Sequence, residues 1–392
     1  MNGRSRKDDD TSLAAAVDWL NEAAASMRTW VESVRPPGGE RGRFLWARRT
    51  TRPANCAATS YILGGINMMG AGDVITDQDR RQGIAWVQSF HGGHGQYRDP
   101  AILERRPPDW PAEKPYPDPP LLVVINQYSL GVLRGLGFEG EMPRPEPPDG
   151  IPQAHEADKA LEYVRTRPWN TNPWGAGSHS MRMATWLLNW HQDGRIPLDP
   201  LIDVLRWIYS QQDPQTGLWG APSCPKYERI NGTFKLFPLI CENLRLPLPH
   251  ADKIIEQVLA EWDRPDYDEN VGACDEWDNW YVIANCMDYT DHRADDIRAM
   301  ALRRLNRMHI FQKPDGGMSY HPAHCATAWC GVDMAPPVAQ SDCMGLGILK
   351  SAIAVCVGIL GLEGQTAWSA KWRMREPADE ALCNAIRERL GL

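Results

Sequence analysis

The chain has 392 residues, of which 43% are hydrophobic and 23% are charged, values that exclude a wholly disordered protein. Its net charge of −8 leaves no cationic excess for phosphate contacts, so the composition argues against a general nucleic-acid binder. Seventeen tryptophans beside six phenylalanines, with 33 glycines and 32 prolines, exclude fibrous and low-complexity classes.

The N-terminal residues 1–12 are predicted to be a disordered tail, and residues 13–392 a single domain. The tail combines a short basic stretch with three consecutive aspartates, which is not typical of a signal peptide. We therefore expect a cytoplasmic protein whose ten cysteines are reduced thiols. The apolar residues 345–362 include Lys350, which favours a buried helix over a transmembrane segment.

Apolar and amphipathic helices are predicted to alternate along the domain. The apolar helices are predicted over residues 55–69, 121–136, 178–190, 231–244, 278–287 and 342–360. The amphipathic helices are predicted over residues 77–90, 155–165, 200–211, 250–261, 294–308 and 378–390. In one of these, Ile297, Met300 and Leu305 recur at helical spacing with charged residues between them. Two proline-rich stretches, residues 105–120 and 142–152, are expected to be long connections.

Three segments repeat one pattern, a helix followed by glutamine and a glycine-rich turn that ends in an aromatic residue. The glutamines are Gln88, Gln212 and Gln312. Self-similarity of this kind is typical of repeat proteins. We therefore predict an all-α fold, an (α/α)6 toroid in which the apolar helices form an inner ring and the amphipathic helices an outer ring. The N-termini of the inner helices would open into one central cavity, and an open solenoid is the alternative.

Two of these turns carry a family resemblance. QDPQTGLWG at residues 212–220 and QKPDGGMSY at residues 312–320 resemble the QW-type repeats of terpene cyclases and of protein prenyltransferase β subunits. Residues 217–237, GLWGAPSCPKYERINGTFKLF, are similar to the prenyltransferase stretch that binds a diphosphate through two basic side chains. The resemblance implies the toroid fold and implies that Lys226 and Arg229 are the diphosphate-binding pair.

The metal motifs of the same superfamily are absent from this sequence. Its zinc-binding Asp-x-Cys corresponds here to Asn231-Gly232-Thr233, and neither Asp-x-Asp-Asp nor Asp-Asp-x-x-Asp occurs. The resemblance therefore implies the fold rather than the metal chemistry of the family. We expect no cofactor, with zinc or magnesium as the less favoured alternative.

The densest group of acids is CDEWDNWY at residues 274–281. Helical spacing puts Asp275 and Asp278 on one side of the helix with Tyr281, and Glu276 on another. Two neighbouring carboxyl groups can serve as general acid and general base, because the charge of one raises the pKa of the other. We predict that these four residues are catalytic. Capping of the helix N-terminus is the alternative.

Cations close to the starts of two apolar helices suggest an anionic ligand. His179 and Arg182 lie near the start of the third apolar helix, and Asn231 and Lys235 near the start of the fourth. Guanidinium and ammonium groups bind carboxylates and phosphates. We predict that His179 is catalytic and that the other three bind substrate. Internal ion pairs with the acids of residues 275–278 are the alternative.

Three further residues are predicted to contact the ligand. Trp219 and Trp280 are candidates because indole rings stack on sugar faces and stabilise carbocations. Asp342 stands at the start of the sixth apolar helix, where it is either an N-cap or another acid of the cavity.

A metal site is not predicted, although one segment offers ligands. His321, His324 and Cys330 supply nitrogen and sulfur donors of the kind that zinc prefers. Their spacing matches no structural zinc motif, and packing within a turn is the alternative.

Three functions remain open from the sequence. The first is a terpenoid cyclase-like or prenyltransferase-like enzyme that uses acid chemistry on an isoprenoid or an anionic small substrate. The second is a carbohydrate-active toroid, a hydrolase or a lyase of acidic oligosaccharides. The third is a non-catalytic ligand-binding scaffold. The expected partner is an anionic small molecule rather than a nucleic acid, and the oligomeric state stays open.

Overall fold

A computed structural model describes residues 12–92, 95–104, 106 and 116–392. The described residues include only residue 12 of the predicted tail. They also leave out most of the proline-rich stretch 105–120. The second proline-rich stretch, residues 142–152, is described and contains neither helix nor strand, as a connection should.

The described part of the chain is mostly helical, which confirms the all-α prediction at the level of fold class. It contains 15 α-helices and one two-stranded hairpin. The helices are α1 (Leu13–Ser33), α2 (Cys56–Met68), α3 (Asp77–Gln88), α4 (Pro100–Leu103), α5 (Pro119–Gly135), α6 (Ala160–Arg165), α7 (Pro173–Gln192), α8 (Asp199–Ser210), α9 (Lys226–Phe237), α10 (Ala251–Trp262), α11 (Tyr267–Asn270), α12 (Ala273–Cys286), α13 (Ala294–Arg307), α14 (Cys343–Leu360) and α15 (Glu380–Leu390). The strands are β1 (Ala328–Trp329) and β2 (Val332–Asp333).

All twelve predicted helices have a counterpart in the structure. The apolar set corresponds to α2, α5, α7, α9, α12 and α14, and the amphipathic set to α3, α6, α8, α10, α13 and α15. Three predicted starts are wrong, because α7, α9 and α12 each begin more than a turn earlier than expected. A fourth, that of α6, lies five residues later than predicted, because the preceding residues Ala154–Lys159 form a 3-10 helix. The Asn172 side chain accepts a hydrogen bond from Gly175 N and Pro173 opens the first turn of α7. In α12, Asp275 Oδ2 accepts from Gly272 N at 2.8 Å.

The apolar helices pack mainly against one another. Helix α2 packs against α5 and α14, α12 packs against α9 and α14, and α7 packs against α9. Glycines permit the closest approaches: a Cβ at Gly177 would lie 2.5 Å from Gly232 O, and one at Gly347 would lie 2.3 Å from the Tyr61 ring. Helices α5 and α7, by contrast, make little direct contact.

The amphipathic helices pack on the outside of these pairs. Helix α3 packs on α5, α6 and α8 pack on α7, α10 packs on α9 and α12, and α13 packs on α14. Helix α1 was not predicted, and it packs against α13 with its buried residues Leu20, Met27 and Trp30. Helix α15 packs against α8.

The repeated glutamine turns fasten successive helices together. Gln212 Nε2 donates to Gly217 O at 2.9 Å and to Pro249 O at 2.8 Å, so it ties the turn to the start of α10. Gln312 Oε1 accepts from the indole of Trp19 at 3.1 Å, which links the corresponding turn to α1. Gln212 therefore satisfies two backbone carbonyl groups, whereas the Gln312 hydrogen bond joins two side chains, so the two glutamines make different contacts within the same sequence pattern.

Helix α14 is the single helix in the described ranges that is long and apolar enough to cross a membrane, with a mean hydropathy of 2.1. Buried core helices have the same composition, and 72% of α14 is buried against its neighbours. It has α2 on one side and α12 on the other, as a core helix would.

Candidate functional site

Polar side chains from five apolar helices and the hairpin lie close enough to influence one another's ionisation. We call this group the interior cluster; its members are Tyr61, Tyr128, Arg182, Lys235, Cys274, Asp278 and Cys330. The group is connected, since Arg182 and Lys235 both act on the Cys330 thiol, and Lys235 also acts on Asp278.

Asp278 is the buried acid of the interior cluster. It is 1% exposed, and its Oδ2 atom has no hydrogen-bond partner. Burial raises its pKa to about 8, against the opposing charge of Lys235 and with a smaller contribution from Asp275. The carboxyl group is therefore mainly protonated at pH 7 and can donate a proton.

Lys235 carries a charge that no acid of the described chain neutralises within ion-pair distance. Its ammonium group lies 4.4 Å from the ring centroid of Phe234 and 5.6 Å from that of Trp174. Such cation–π contacts stabilise an ammonium group that has lost part of its hydration shell, and they leave its positive charge unneutralised. Lys235 can therefore attract an anion, and its charge favours the carboxylate form of Asp278.

Arg182 is the second such cation. Its guanidinium donates to Gln127 Oε1 at 3.4 Å, and none of the described carboxylates forms an ion pair with it. Burial lowers its pKa, an effect opposed by Cys330, Tyr128 and Tyr163. A half-buried guanidinium with four unused N–H groups is well suited to bind a carboxylate or a phosphate.

His179 lies one turn before Arg182 on α7. Its Nδ1 atom is 2.9 Å from the hydroxyl of Tyr163. Burial lowers its pKa to about 4, and the charges of Arg182 and Arg167 act in the same direction. The imidazole is therefore neutral at pH 7, and because its pKa lies well below 7 it is a weak proton acceptor.

Cys330 is presented by the hairpin that β1 and β2 form. Cys330 and Gly331 have φ values of 49° and 80°, the left-handed conformations that a two-residue hairpin turn requires. Cys330 is an exposed residue, and the desolvation of its thiol by the surrounding protein raises its pKa to about 11, against the charges of Arg182 and Lys235. The adjoining Trp329 ring lies 5.3 Å from that of Tyr128.

The acids of α12 do not all point the same way. Asp275 lines a pocket of about 260 Å³ together with Asn231, Tyr227 and Glu261. Burial raises the pKa of Asp275, which lies near enough to raise that of Asp278 as well. Helical spacing predicts that these two acids are neighbours, and the charge of Asp275 does raise the pKa of Asp278. Only Asp275, however, lines the pocket.

Glu276 and Tyr281 are engaged elsewhere. Glu276 is fully buried and forms an ion pair with Arg304 of α13, so its charge is not directed at the interior cluster. The ring of Tyr281 lies 4.9 Å from Phe234. Its hydroxyl makes no well-formed hydrogen bond, but Glu242 lies near enough to add to the rise in pKa that burial causes.

The residues implied by the family resemblance lie apart from the interior cluster. Arg229 is paired with Asp213 at 2.9 Å and also donates to Thr216, which anchors the turn before α9. Lys226 is the first residue of α9. The structure therefore does not combine these two cations with Arg182 and Lys235 into one anion site.

The two predicted ligand-contacting tryptophans are part of the core. Trp219 and Trp280 have no exposed surface. Trp219 donates its indole N–H to Ile208 O at 2.7 Å, and the ring of Trp280 packs 4.3 Å from Trp262. In this conformation neither ring can touch a ligand.

Asp342 is the N-cap of α14, one of the two predicted alternatives. Its Oδ1 accepts from Gly345 N at 2.8 Å, and its Oδ2 accepts from Tyr320 N and Ala326 N at 2.9 Å each. Burial raises its pKa to about 6, and the backbone donors oppose this rise. All its hydrogen bonds go to backbone N–H groups, which hold the preceding segment against α14.

The candidate metal ligands do not assemble. No group of three or more histidine, cysteine or acidic side chains with metal-binding geometry occurs in the ranges that the structure describes. His321 and His324 stack on each other with ring centroids 4.7 Å apart. Cys330 belongs instead to the interior cluster, through its interaction with Arg182.

Sequence reasoning missed several residues of the interior. The hydroxyl of Tyr128 donates to that of Tyr61, and burial raises both pKa values. Lys350 of α14 reaches across Gly64 of α2, and burial alone lowers its pKa to about 8. The lysine inside an otherwise apolar helix is the sequence signal for this buried cation.

Comparison with known proteins adds no relative. The sequence matches no family model, and no curated protein and no solved structure is significantly similar to it. Functional inference therefore depends on the geometry of the chain itself.

Proposed function

We propose that the apolar helices form the inner ring of an (α/α)6 toroid around the interior cluster. The packing of α14 against α2 supports ring closure, since it joins the last apolar helix to the first. The placement of α3, α6, α8, α10 and α13 outside this set supports an outer ring. Helix α1, packed on α13, supplies the sixth outer position, rather than α15 as the sequence suggested.

We propose further that the protein is an enzyme that protonates an anionic small substrate inside this ring. Arg182 and Lys235 would bind the anionic group, and Asp278 would donate the proton. The observation that carries the proposal is a buried, neutral carboxyl group with a free oxygen, near the Lys235 ammonium group, which has no acid partner among the described residues. Buried polar atoms are normally hydrogen-bonded, so a carboxyl oxygen without a partner supports a role in contacting a ligand.

The proton transfer is favoured by the neighbours of Asp278. When Asp278 gives up its proton it becomes a buried carboxylate, which is costly unless a cation is near. Lys235 supplies that charge, since it already lowers the pKa of Asp278.

Two substrate classes fit this chemistry. An isoprenoid diphosphate follows from the family resemblance, although the pairing of Arg229 with Asp213 takes one of its two implied ligands. An acidic oligosaccharide is the second candidate, because the carboxylates of its sugars are the groups that the side chains of Arg182 and Lys235 bind. A non-catalytic binding scaffold is the remaining alternative.

A thermal-unfolding panel tests the binding step. Farnesyl and geranylgeranyl diphosphates are compared with di- and trigalacturonate, and stabilisation of about 2.7 kcal/mol is expected when the ligand concentration is one hundred times Kd. The stabilisation should be lost in Arg182→Gln and Lys235→Met and retained in Lys371→Met, a change at an exposed lysine.

Turnover of the stabilising ligand tests the catalytic step. Asp278→Asn should abolish product formation, followed by chromatography or mass spectrometry, while binding persists. Unchanged turnover in that variant would remove Asp278 from the mechanism, and equal stabilisation of the Arg182 and Lys235 variants would remove the anion site.

A further inference from the structure

A pocket lies where the end of α10 meets the starts of α9 and α12. Its volume is about 260 Å³, close to the lower end of the range of small-molecule sites, roughly 300 Å³. Its lining includes Tyr227, Asn231, Glu261, Arg264 and Asp275. We call it the α10–α12 pocket. No member of the interior cluster is among the residues that line it, so it is a separate candidate site.

Asn231 is buried in the wall of this pocket with an unused donor. The residue is 1% exposed, and its Nδ2 atom has no hydrogen-bond partner. It lies near enough to Asp275 to oppose the rise in the pKa of that carboxyl group, but the two side chains form no hydrogen bond of normal distance and angle. Because buried polar atoms are normally hydrogen-bonded, the free N–H groups indicate an acceptor oxygen supplied by a ligand.

Two carboxyl groups of the pocket are largely withdrawn from water. Glu261 is 3% exposed, and burial raises its pKa. Burial likewise raises the pKa of Asp275, which contributes in turn to the rise at Glu261. Both side chains line the same pocket, so the two acids lie near enough to repel each other. A cationic ligand group beside both of them relieves that repulsion.

The cations of the protein leave Asp275 without an ion pair. Arg264 is the one cation among the described residues that line the pocket. Its Nη1 atom donates to Glu261 Oε1 at 2.8 Å, and its Nε atom lies 2.8 Å from Asp266 Oδ1. Lys226 also acts on Glu261 but does not line the pocket. Asp275 accepts from one backbone N–H group through Oδ2, which leaves Oδ1 available to a ligand.

Tyr227 adds an aromatic wall to the pocket. It is 39% exposed, so its ring is accessible from solvent. Aromatic rings attract organic cations through their π-electrons. No group of three or more metal-ligating side chains occurs in the ranges that the structure describes, and the volume exceeds what a single ion needs. The lining therefore favours an organic ammonium group over a metal ion.

We propose that the α10–α12 pocket binds a small amino alcohol, such as an amino sugar, as a second ligand of the protein. The ammonium group lies beside Asp275 and Glu261, and a neighbouring oxygen of the ligand accepts from Asn231 Nδ2. Hydrogen bonds between an ammonium group and a carboxylate are stronger than neutral ones, so the ammonium group supplies most of the affinity. This ligand is opposite in charge to the anionic substrate proposed for the interior cluster.

Isothermal titration calorimetry at pH 7 with three probes of similar ring size tests the proposal. Glucosamine carries an ammonium group and hydroxyl groups, glucose carries the hydroxyl groups alone, and cyclohexylamine carries the ammonium group alone. Glucosamine should bind about tenfold more tightly than glucose or better, because only it forms the charge-assisted hydrogen bonds. It should bind about fivefold more tightly than cyclohexylamine, which offers no acceptor to Asn231.

Variants assign the contacts to individual side chains. Asp275→Asn keeps an acceptor for the backbone of Gly272 and removes the charge, so it should weaken glucosamine about tenfold and leave glucose within about twofold. Asn231→Ala should weaken glucosamine and leave cyclohexylamine within about twofold. Tyr227→Leu, a change at an exposed position, should weaken both amines about threefold. Asp263→Asn is the matched control, because Asp263 is an exposed acid of the same segment that does not line the pocket.

The outcomes decide the proposal even if one variant fails to fold. Circular dichroism reports whether Asn231→Ala is folded, and Asp275→Asn and Tyr227→Leu test the same pocket without it. Equal binding of glucosamine and glucose, unchanged binding in Asp275→Asn, an equal loss in the Asp263 control, or no binding of any probe overturns the amino-alcohol site.

Discussion

Replacing Asp278 with asparagine should stabilise the protein more as the pH rises. The folded chain keeps this carboxyl group protonated up to about pH 8, whereas its ordinary pKa is 3.8. Between these two values the unfolded chain releases the proton and the folded chain does not. The wild type therefore loses stability as the pH rises from about 4 to about 8, and asparagine, which does not ionise, avoids that loss.

The magnitude follows from the size of the pKa shift. Each unit contributes about 1.4 kcal/mol, so the variant should gain about 3 kcal/mol relative to the wild type at pH 6 and about 5 kcal/mol at pH 8. These values are upper bounds, because structural relaxation reduces the cost of a buried charge. The slope is the robust quantity, since any fixed difference in hydrogen bonding between the two side chains does not depend on pH.

Urea denaturation at pH 5, 6, 7 and 8 measures this slope. Titrating groups that do not interact with Asp278 are common to both proteins, so their effects cancel in the difference. Asp295→Asn, at an exposed position on α13, is the control and should differ from the wild type by less than about 0.5 kcal/mol at every pH. A difference for Asp278→Asn that is independent of pH, or that falls as the pH rises, would refute the burial argument.

Three further substitutions test the structural roles assigned above. Arg304→Met should destabilise the fold by about 3 to 5 kcal/mol, because it leaves the Glu276 carboxylate buried without a cation. Adding Glu276→Leu should restore most of the lost stability, and denaturant midpoints that do not recover in the double variant would contradict this pairing. Asp342→Ala should cost about 3 kcal/mol in chemical unfolding, since three backbone N–H groups lose their acceptor, and Asp342→Asn should cost less. Equal losses for the two variants would argue against the cap. Cys330→Gly should raise stability by about 1 kcal/mol because glycine adopts the positive φ without strain, and a lower Tm would count against the turn geometry.

Helix existence was predictable because burial leaves a direct pattern in the sequence. The alternation of apolar and amphipathic segments identified all twelve predicted helices. The starts of the helices were harder to predict than their existence. The capping residues Asn172 and Gly272 lie in segments whose composition is typical of connections between helices. Helix α1 was missed because its apolar positions are separated by many small residues.

The site was predictable where its residues lie on predicted helices. Arg182, Lys235 and Asp278 were found because they are charged residues inside predicted apolar helices, and they belong to one connected cluster. The prediction that they lie close to helix starts is wrong, because α7, α9 and α12 begin earlier and place Arg182 in the middle and Lys235 near the end of their helices. The partner of Arg229 was not predictable, since Asp213 reaches it only through the fold of the preceding turn.

The central claim is that Arg182 and Lys235 share one compartment, and the reactivity of Cys330 tests it directly. Among the ten cysteines, all of which the structure describes, only this thiol is exposed, so a small alkylating reagent modifies it first. Both cations favour its thiolate. Arg182→Met and Lys235→Met should therefore each slow alkylation at pH 8 by about threefold or more, and Lys371→Met should not. A rate that falls in the Arg182 variant and is unchanged in the Lys235 variant would put the two cations in separate compartments and contradict the account.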